Sequence, residues 1–220
     1  MINRGKTAAL QEIERLYLVK RPRIEARLAE FARLWQTGTE EEIFAELAFC
    51  LFTPQSKALL CWHTVRTLIE KDLLLKNAPA RIARELSRVR FRNNKARYLV
   101  ETRQLFASNG SVALRPRLRQ FADPGDARAW LVRSVKGLGL KEASHFLRNI
   151  GRGEQLAILD RHILRNLCTL GVIDHIPTSL TPKKYFDIEK KMQTFSEKIE
   201  IPPAHLDLLL WCKETGEVFK

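Results

Sequence analysis

The sequence predicts an all-α protein. Three observations carry this. Apolar residues recur at three- and four-residue spacing along most of the chain, proline and glycine fall where helices start and stop, and no period-2 run is long enough for a sheet. Residues 7–19 and 24–35 read as two helices interrupted at Pro22, because proline lacks the backbone donor that a helix interior needs. Thr39 and Glu42 form a capping box opening a helix Glu40–Phe52, which Pro54 ends. Ser56 starts a long helix to about Leu75, and Pro79 opens a short one to Ser87. Asn93 caps Asn94–Ser108, closed by Gly110, and Asp123-Pro124 leads into Gly125–Val135. Gly151 and Gly171 end two further helices, and Thr181-Pro182 and Pro202-Pro203 open the last two. That makes about ten helices of ordinary length.

The chain has 220 residues, 45% of them hydrophobic and 29% charged, which suits a real core and excludes a disordered composition. Lys and Arg number 38 against 25 acids, a net charge of +13. Such a balance favours a polyanion, with nucleic acid ahead of a membrane surface. No apolar run approaches the ~20 residues that span a bilayer, and the stretch MINRGKTAALQEIERLYL carries no signal-peptide core. A soluble intracellular protein is expected. Cys50, Cys61, Cys168 and Cys212 form no C-x-x-C pair, and the five histidines are scattered, so buried thiols are expected and no metal.

Residues 125–150 read GDARAWLVRSVKGLGLKEASHFLRNI. Two helices flank Lys136-Gly137-Leu138-Gly139. The glycines permit positive φ and close backbone approach, and the helix start behind Gly139 offers free amides to an anion. With Ala143 as the small residue for close packing, this is a helix-hairpin-helix, a phosphate clamp; an ordinary glycine-containing αα-turn is the plainer alternative. Lys141 falls in the first turn of the second helix, where the dipole disfavours an ammonium, which suits a nucleophile; a simple phosphate contact beside the hairpin is the plainer alternative. About ten residues of helix rise ~15 Å. The nine residues from Gly151 to Leu159 then reach up to ~30 Å, enough to return Asp160 towards Lys141. Asp160 alone reads as a helix cap. Beside Lys141 and the clamp, it reads as the partner of a nucleophile.

These residues resemble the helix-hairpin-helix DNA glycosylase superfamily. Its lyase members carry G-x-G-x-K-x-A and then an aspartate heading D-x-H-x-x-R, here Gly137, Gly139, Lys141, Ala143, Asp160, His162 and Arg165. AFCLFTPQSKA (Ala48–Ala58) resembles the loop that fills the hole left by a flipped base, and FRNNKAR (91–97) resembles the basic loop and following helix. The four-cysteine iron–sulfur motif of endonuclease III-type members is missing. The strings KGLGLKEASHFLRNIG, LAILDRHIL and LDLLLWCKETGEVFK resemble the compact second-type 8-oxoguanine glycosylase/lyase family.

That resemblance implies a monomeric enzyme of two helical subdomains with its site in the cleft between them, approximately 36–117 and 1–35 plus 118–220. It implies excision of 8-oxoguanine from damaged duplex DNA and β-elimination through a lysine Schiff base, with no metal or organic cofactor. Lys141 is the implied nucleophile and Asp160 the ionised carboxylate. Gln55 is the candidate wedge, or else a loop cap. Arg90, Arg92, Lys95 and Arg97 are candidate phosphate contacts, or in part a solvated charged face, with Gly137 and Gly139 as the clamp. The terminal carboxylate of Lys220 is implied to read the N7–H of the lesion, and Trp211 to stack on the base, against the plainer readings of a frayed tail and core packing. Two other functions stay open: a glycosylase of the same superfamily for another damaged base, and a helix-hairpin-helix module that only binds DNA.

Overall fold

The computed structural model describes residues 4–220, with side chains described from Ala8 onward; Met1 to Asn3 of the N-terminal stretch lie outside the described residues. Helix α1 (Arg4–Thr37) is continuous through Pro22, so the predicted interruption is absent. Ile13 and Ile24 lie about three helical turns apart and are both buried in one apolar cluster, which holds both sides of the proline against the same core. Leu18, whose carbonyl loses its helical donor at Pro22, is 76% exposed, so water can take that donor's place. The far end of α1 is capped from a distance. The Arg115 guanidinium donates to the carbonyls of Leu34 (3.0 Å), Trp35 (2.9 Å) and Gly38 and pairs with Glu40.

Helix α2 (Glu40–Phe52) has the predicted bounds and capping box: Glu42 N donates to Thr39 Oγ1 (3.1 Å) and Thr39 N to Glu42 Oε2 (2.7 Å). Ten consecutive residues from Ile43 to Phe52 are buried, so α2 runs through the core. Helix α3 (Ala58–Glu70) is shorter than predicted at both ends. Ser56 does not cap it, because its hydroxyl accepts from the backbone of Arg90 and from Lys95. Beyond α3, Asp72 turns left-handed (φ 53°), and the amides of Leu73 and Leu74 fold back onto the Leu68 carbonyl.

Helix α4 (Pro79–Glu85) keeps its first-turn proline. Helix α5 (Arg92–Leu105) starts behind a left-handed Phe91 (φ 60°) rather than at the predicted Asn93 cap. It ends before Ser108, because β1 (Ala107–Ser108) pairs antiparallel with β2 (Ser111–Val112). The turn between them is Asn109-Gly110, both at positive φ, the pair that a two-residue hairpin favours. Helices α6 (Arg115–Leu118), α7 (Pro124–Ser134), α8 (Leu140–Asn149), α9 (Arg161–Thr169), α10 (Pro182–Lys198) and α11 (Pro203–Thr215) complete the described chain. Gly151 (φ 68°) and Gly171 (φ 72°) are the left-handed stops expected of them.

Two apolar clusters form the interior. One gathers side chains of α2, α3, α5, α7 and α8; the other gathers those of α1, α9, α10 and α11. Buried charge joins them. Arg128 on α7 makes a two-pronged bond to Glu189 on α10 (2.6 and 2.8 Å), and Arg148 on α8 lies 3.4 Å from Asp207 on α11. Among the described residues no helix is long and apolar enough to cross a membrane.

Candidate active site

The hairpin between α7 and α8 uses its glycines differently. Gly137 is left-handed (φ 88°), and a Cβ there would stand 2.4 Å from the Tyr98 ring of α5. Only glycine meets both conditions. Gly139 is extended instead (φ −94°, ψ −179°), so it needs no positive φ, which corrects half of the expectation. It is the N-cap of α8, and the free amides of the first turn begin behind it. Ala143 is fully buried against the first cluster.

Lys141 is the second residue of α8. Its side chain is one-quarter exposed, with Nζ 3.0 Å from Glu142 Oε1. Asp160 is the N-cap of α9, its Oδ1 accepting from Ile163 N (2.8 Å). The backbone before Asp160 is fixed by buried groups. Ala157 N donates to Glu189 Oε2 (2.8 Å), and Tyr185 Oη donates to Ala157 O (2.6 Å). Glu189 also holds Arg128, which donates to Ser144 of α8 (3.0 Å). One buried network thus sets the approach to Asp160 against the two hairpin helices.

One further acid, not singled out from the sequence, is buried on α11. Asp207 is 4% exposed, and burial pushes its carboxyl up to about 7; Arg148 opposes the rise, Asp160 adds to it and Lys141 opposes it. Lys141 and Asp160 thus act on its charge in opposite senses. The usable signal was an aspartate inside the apolar run LDLLL. Because its folded value exceeds its ordinary 3.8, Asp207 supports the fold below about pH 4 and loses that support as pH rises through 7. Asp207→Asn is expected to remove this component. Urea midpoints at pH 5 and pH 7.5 should differ less for the variant than for wild type, and equal differences would contradict the assignment.

The C-terminus is not frayed. Lys220 is 9% exposed, and its ammonium pairs with Glu46 of α2 and stands over the Trp62 ring of α3, 3.2 Å from the centroid. Glu46 also accepts from Asn149 (3.0 Å). The backbone of Lys220 lies against the His145 imidazole, which burial drives well below its ordinary range and keeps neutral. Trp211 is half-buried and tilted 34° on Phe219 at 6.1 Å, and Phe219 stands edge-on to Phe49. Glu46, Trp62 and His145 were not singled out from the sequence, because nothing within α2, α3 or α8 shows that they meet Lys220.

Of the expected DNA contacts, Gln55, Arg90, Arg92 and Arg97 are exposed, and Gln55 is left-handed (φ 56°). Arg97 is partly engaged by Asn94 (3.3 Å) and Glu101 (3.7 Å). Lys95 departs from this set. It is 4% exposed and donates to Phe52 O (2.7 Å), Pro54 O (2.7 Å) and Ser56 Oγ (3.3 Å). Burial lowers it to about 8. A buried ammonium with all three donors used has none left for a phosphate, so the sequence expectation for Lys95 is corrected.

Residues 24–201 match the family described as 8-oxoguanine DNA glycosylase, a span that contains Lys141 and Asp160. The chain belongs to the 8-oxoguanine DNA glycosylase family. Within that family, it is 45% identical over 215 residues to an 8-oxoguanine DNA glycosylase/AP lyase of Fusobacterium nucleatum, covering 98% of this chain and 99% of the relative. The crystal structure of the 8-oxoguanine DNA glycosylase of Thermotoga maritima superposes with a TM-score of 0.86 at 34% identity, over 98% of this chain and all of that one. The Methanocaldococcus jannaschii 8-oxoguanine glycosylase/lyase, solved in complex with a 15mer DNA containing 8-oxoguanine, gives a TM-score of 0.86 at 33% identity, over 96% and 99%. These likenesses reach beyond residue 201, so they take in the helix that carries Asp207 and Trp211.

Proposed function

We propose that this chain excises 8-oxoguanine from duplex DNA and then cuts the strand by β-elimination. The observation that carries the reading is Lys141 at the hairpin helix start, with Asp160 heading the next helix and the Glu189 network tying the approach to Asp160 to both hairpin helices. The family match and the full-length relatives named as glycosylase/AP lyases support the substrate. The target nucleotide leaves the stack, since its glycosidic bond is inaccessible within it. The Lys141 nitrogen attacks C1′ while the bond from C1′ to N9 breaks and its electron pair leaves with the base, which takes up a proton given up by the attacking nitrogen. The Asp160 carboxylate stabilises the positive charge developing on the sugar. The nitrogen then expels the ring oxygen to form a Schiff base. Loss of a C2′ proton expels the 3′ phosphate, and water releases the enzyme.

In this reading Gly137 and Gly139 present amides to a backbone phosphate, and Arg90, Arg92 and Arg97 neutralise others. Gln55 enters the space left by the base, Trp211 stacks on the extruded base, and the Lys220 carboxylate accepts its N7–H. The cleft lies between subdomains of approximately 36–117 and 1–35 plus 118–220. The chain acts as a monomer inside the cell, where the DNA is, and the chemistry of lysine and aspartate requires no metal or organic cofactor. Borohydride trapping tests the proposal. A covalent adduct is expected with an 8-oxoguanine duplex and not with undamaged DNA. No adduct would leave only DNA binding, and equal or better trapping on an oxidised pyrimidine would move the substrate.

A further inference from the structure

The turn that carries Gln55 is held from beneath by a charge. Phe52 ends α2, and its carbonyl and that of Pro54 have no helical donor, because Pro54 cannot continue the helix. Lys95 of α5 reaches both at 2.7 Å and Ser56 Oγ at 3.3 Å, so each ammonium hydrogen has an acceptor. Between these acceptors sits Gln55, exposed and left-handed at φ 56°, a conformation that a side-chain-bearing residue keeps only where its surroundings impose it. The same Ser56 hydroxyl accepts from the backbone of Arg90 (3.1 Å), which ties the turn to the basic segment before α5.

We propose that Lys95 is the positioning residue for Gln55: its buried ammonium fixes the Phe52–Ser56 turn so that the Gln55 side chain stands ready to enter the duplex. The proposal rests on the reading of Gln55 as the wedge. Burying an ammonium is unfavourable unless its hydrogen bonds are made, so an apolar side chain would fill this place more cheaply if filling were all that mattered. At neutral pH the ammonium form makes the contacts, since burial lowers Lys95 only to about 8, with the Cys61 thiol and Glu142 opposing the fall and Lys141 adding to it. Lysine has three donors on one atom; arginine spreads its donors over a plane and glutamine offers two.

The test compares wild type, Gln55→Ala, Lys95→Met, the double variant and Ser56→Ala. Two rates are measured: single-turnover excision from an 8-oxoguanine duplex, and cleavage of a preformed abasic site in a single strand, where no base need be displaced. A 2-aminopurine beside the lesion reports base extrusion by its fluorescence. Lys95→Met and Gln55→Ala are each expected to lower duplex excision and the extrusion signal about tenfold, the size of a lost set of buried or inserted polar contacts, and to lower single-strand cleavage much less. The double variant should be no slower than the slower single one, because both remove the same insertion. Ser56→Ala, a milder change to the same turn, should shift the duplex rate in the same direction. Independent, multiplying losses would overturn the proposal, as would Lys95→Met matching wild type while Gln55→Ala is impaired. So would a parallel fall in single-strand cleavage, the mark of general damage to the fold. If Gln55→Ala matches wild type, the wedge reading itself fails and the proposal with it.

Discussion

Lys141→Gln is expected to lose base removal, strand cleavage and borohydride trapping together, while binding to duplex DNA survives. Glutamine is nearly as long as lysine and can still hydrogen-bond to Glu142, whose Oε1 lies 3.0 Å from the lysine nitrogen. The first turn of α8 and its free amides are therefore preserved, and with them the phosphate clamp. What is lost is an amine able to form a bond to C1′ and then a Schiff base. A defect confined to the clamp would weaken binding and leave the chemistry of bound substrate in place; removal of the nucleophile does the reverse. The expected fall in single-turnover excision is at least roughly a thousandfold, in the range that deletion of a covalent nucleophile produces. Rates measured with enzyme in excess of an 8-oxoguanine duplex, alongside binding to the same duplex, separate the two. Turnover near the wild-type rate would remove Lys141 from the mechanism.

What the sequence made legible was local. Thr39 and Glu42 found each other three residues apart, Pro79 and Asp123-Pro124 opened helices by their own chemistry, and Gly151 and Gly171 stopped helices because the left-handed conformation suits glycine. Lys141 and Asp160 were legible for the same reason, each standing at a helix start marked by its neighbours. The errors share a distant partner. Pro22 does not break α1, because Ile13 and Ile24 bind both halves to one core. Ser56 does not cap α3, because groups 34 and 39 residues away take its hydroxyl. Lys95 stands in a basic string on a helix, yet it points inward to carbonyls more than forty residues earlier. Asp207, Glu46 and His145 sit on buried helix faces and acquire meaning only from Arg148, Lys220 and Phe49. Spacing along the chain shows which faces are buried; it does not show which polar group waits on the other side.

Deleting Lys220, or adding residues after it, is expected to damage 8-oxoguanine selection far more than general DNA affinity. The lesion carries an N7–H donor where guanine carries an acceptor. An ionised terminal carboxylate is acceptor-only, so it bonds the first and repels the second. Extension turns the carboxylate into a peptide carbonyl and removes its charge. Deletion moves the terminus back to Phe219, up to ~3.8 Å along the chain, and no hydrogen bond survives that displacement. Loss of a charge-assisted bond in a buried site makes roughly a hundredfold loss of discrimination reasonable. The structure adds a second requirement. From the sequence, Lys220→Ala, which keeps the carboxylate, is expected to do less harm than deletion or extension; but the Lys220 ammonium is what ties the terminus to Glu46 and the Trp62 ring. Removing it strands a buried glutamate, which is strongly destabilising. The informative variant is therefore Lys220→Ala combined with Glu46→Gln, which removes both charges, keeps an acceptor for Asn149 and leaves the terminal carboxylate in place. Single-turnover excision on 8-oxoguanine duplexes, with undamaged duplex binding as control, should rank the double variant above both the deletion and the extension. If the deleted and the extended chains excise as well as wild type, another acceptor reads N7, and the buried Lys220 serves only to seal α2 against α3.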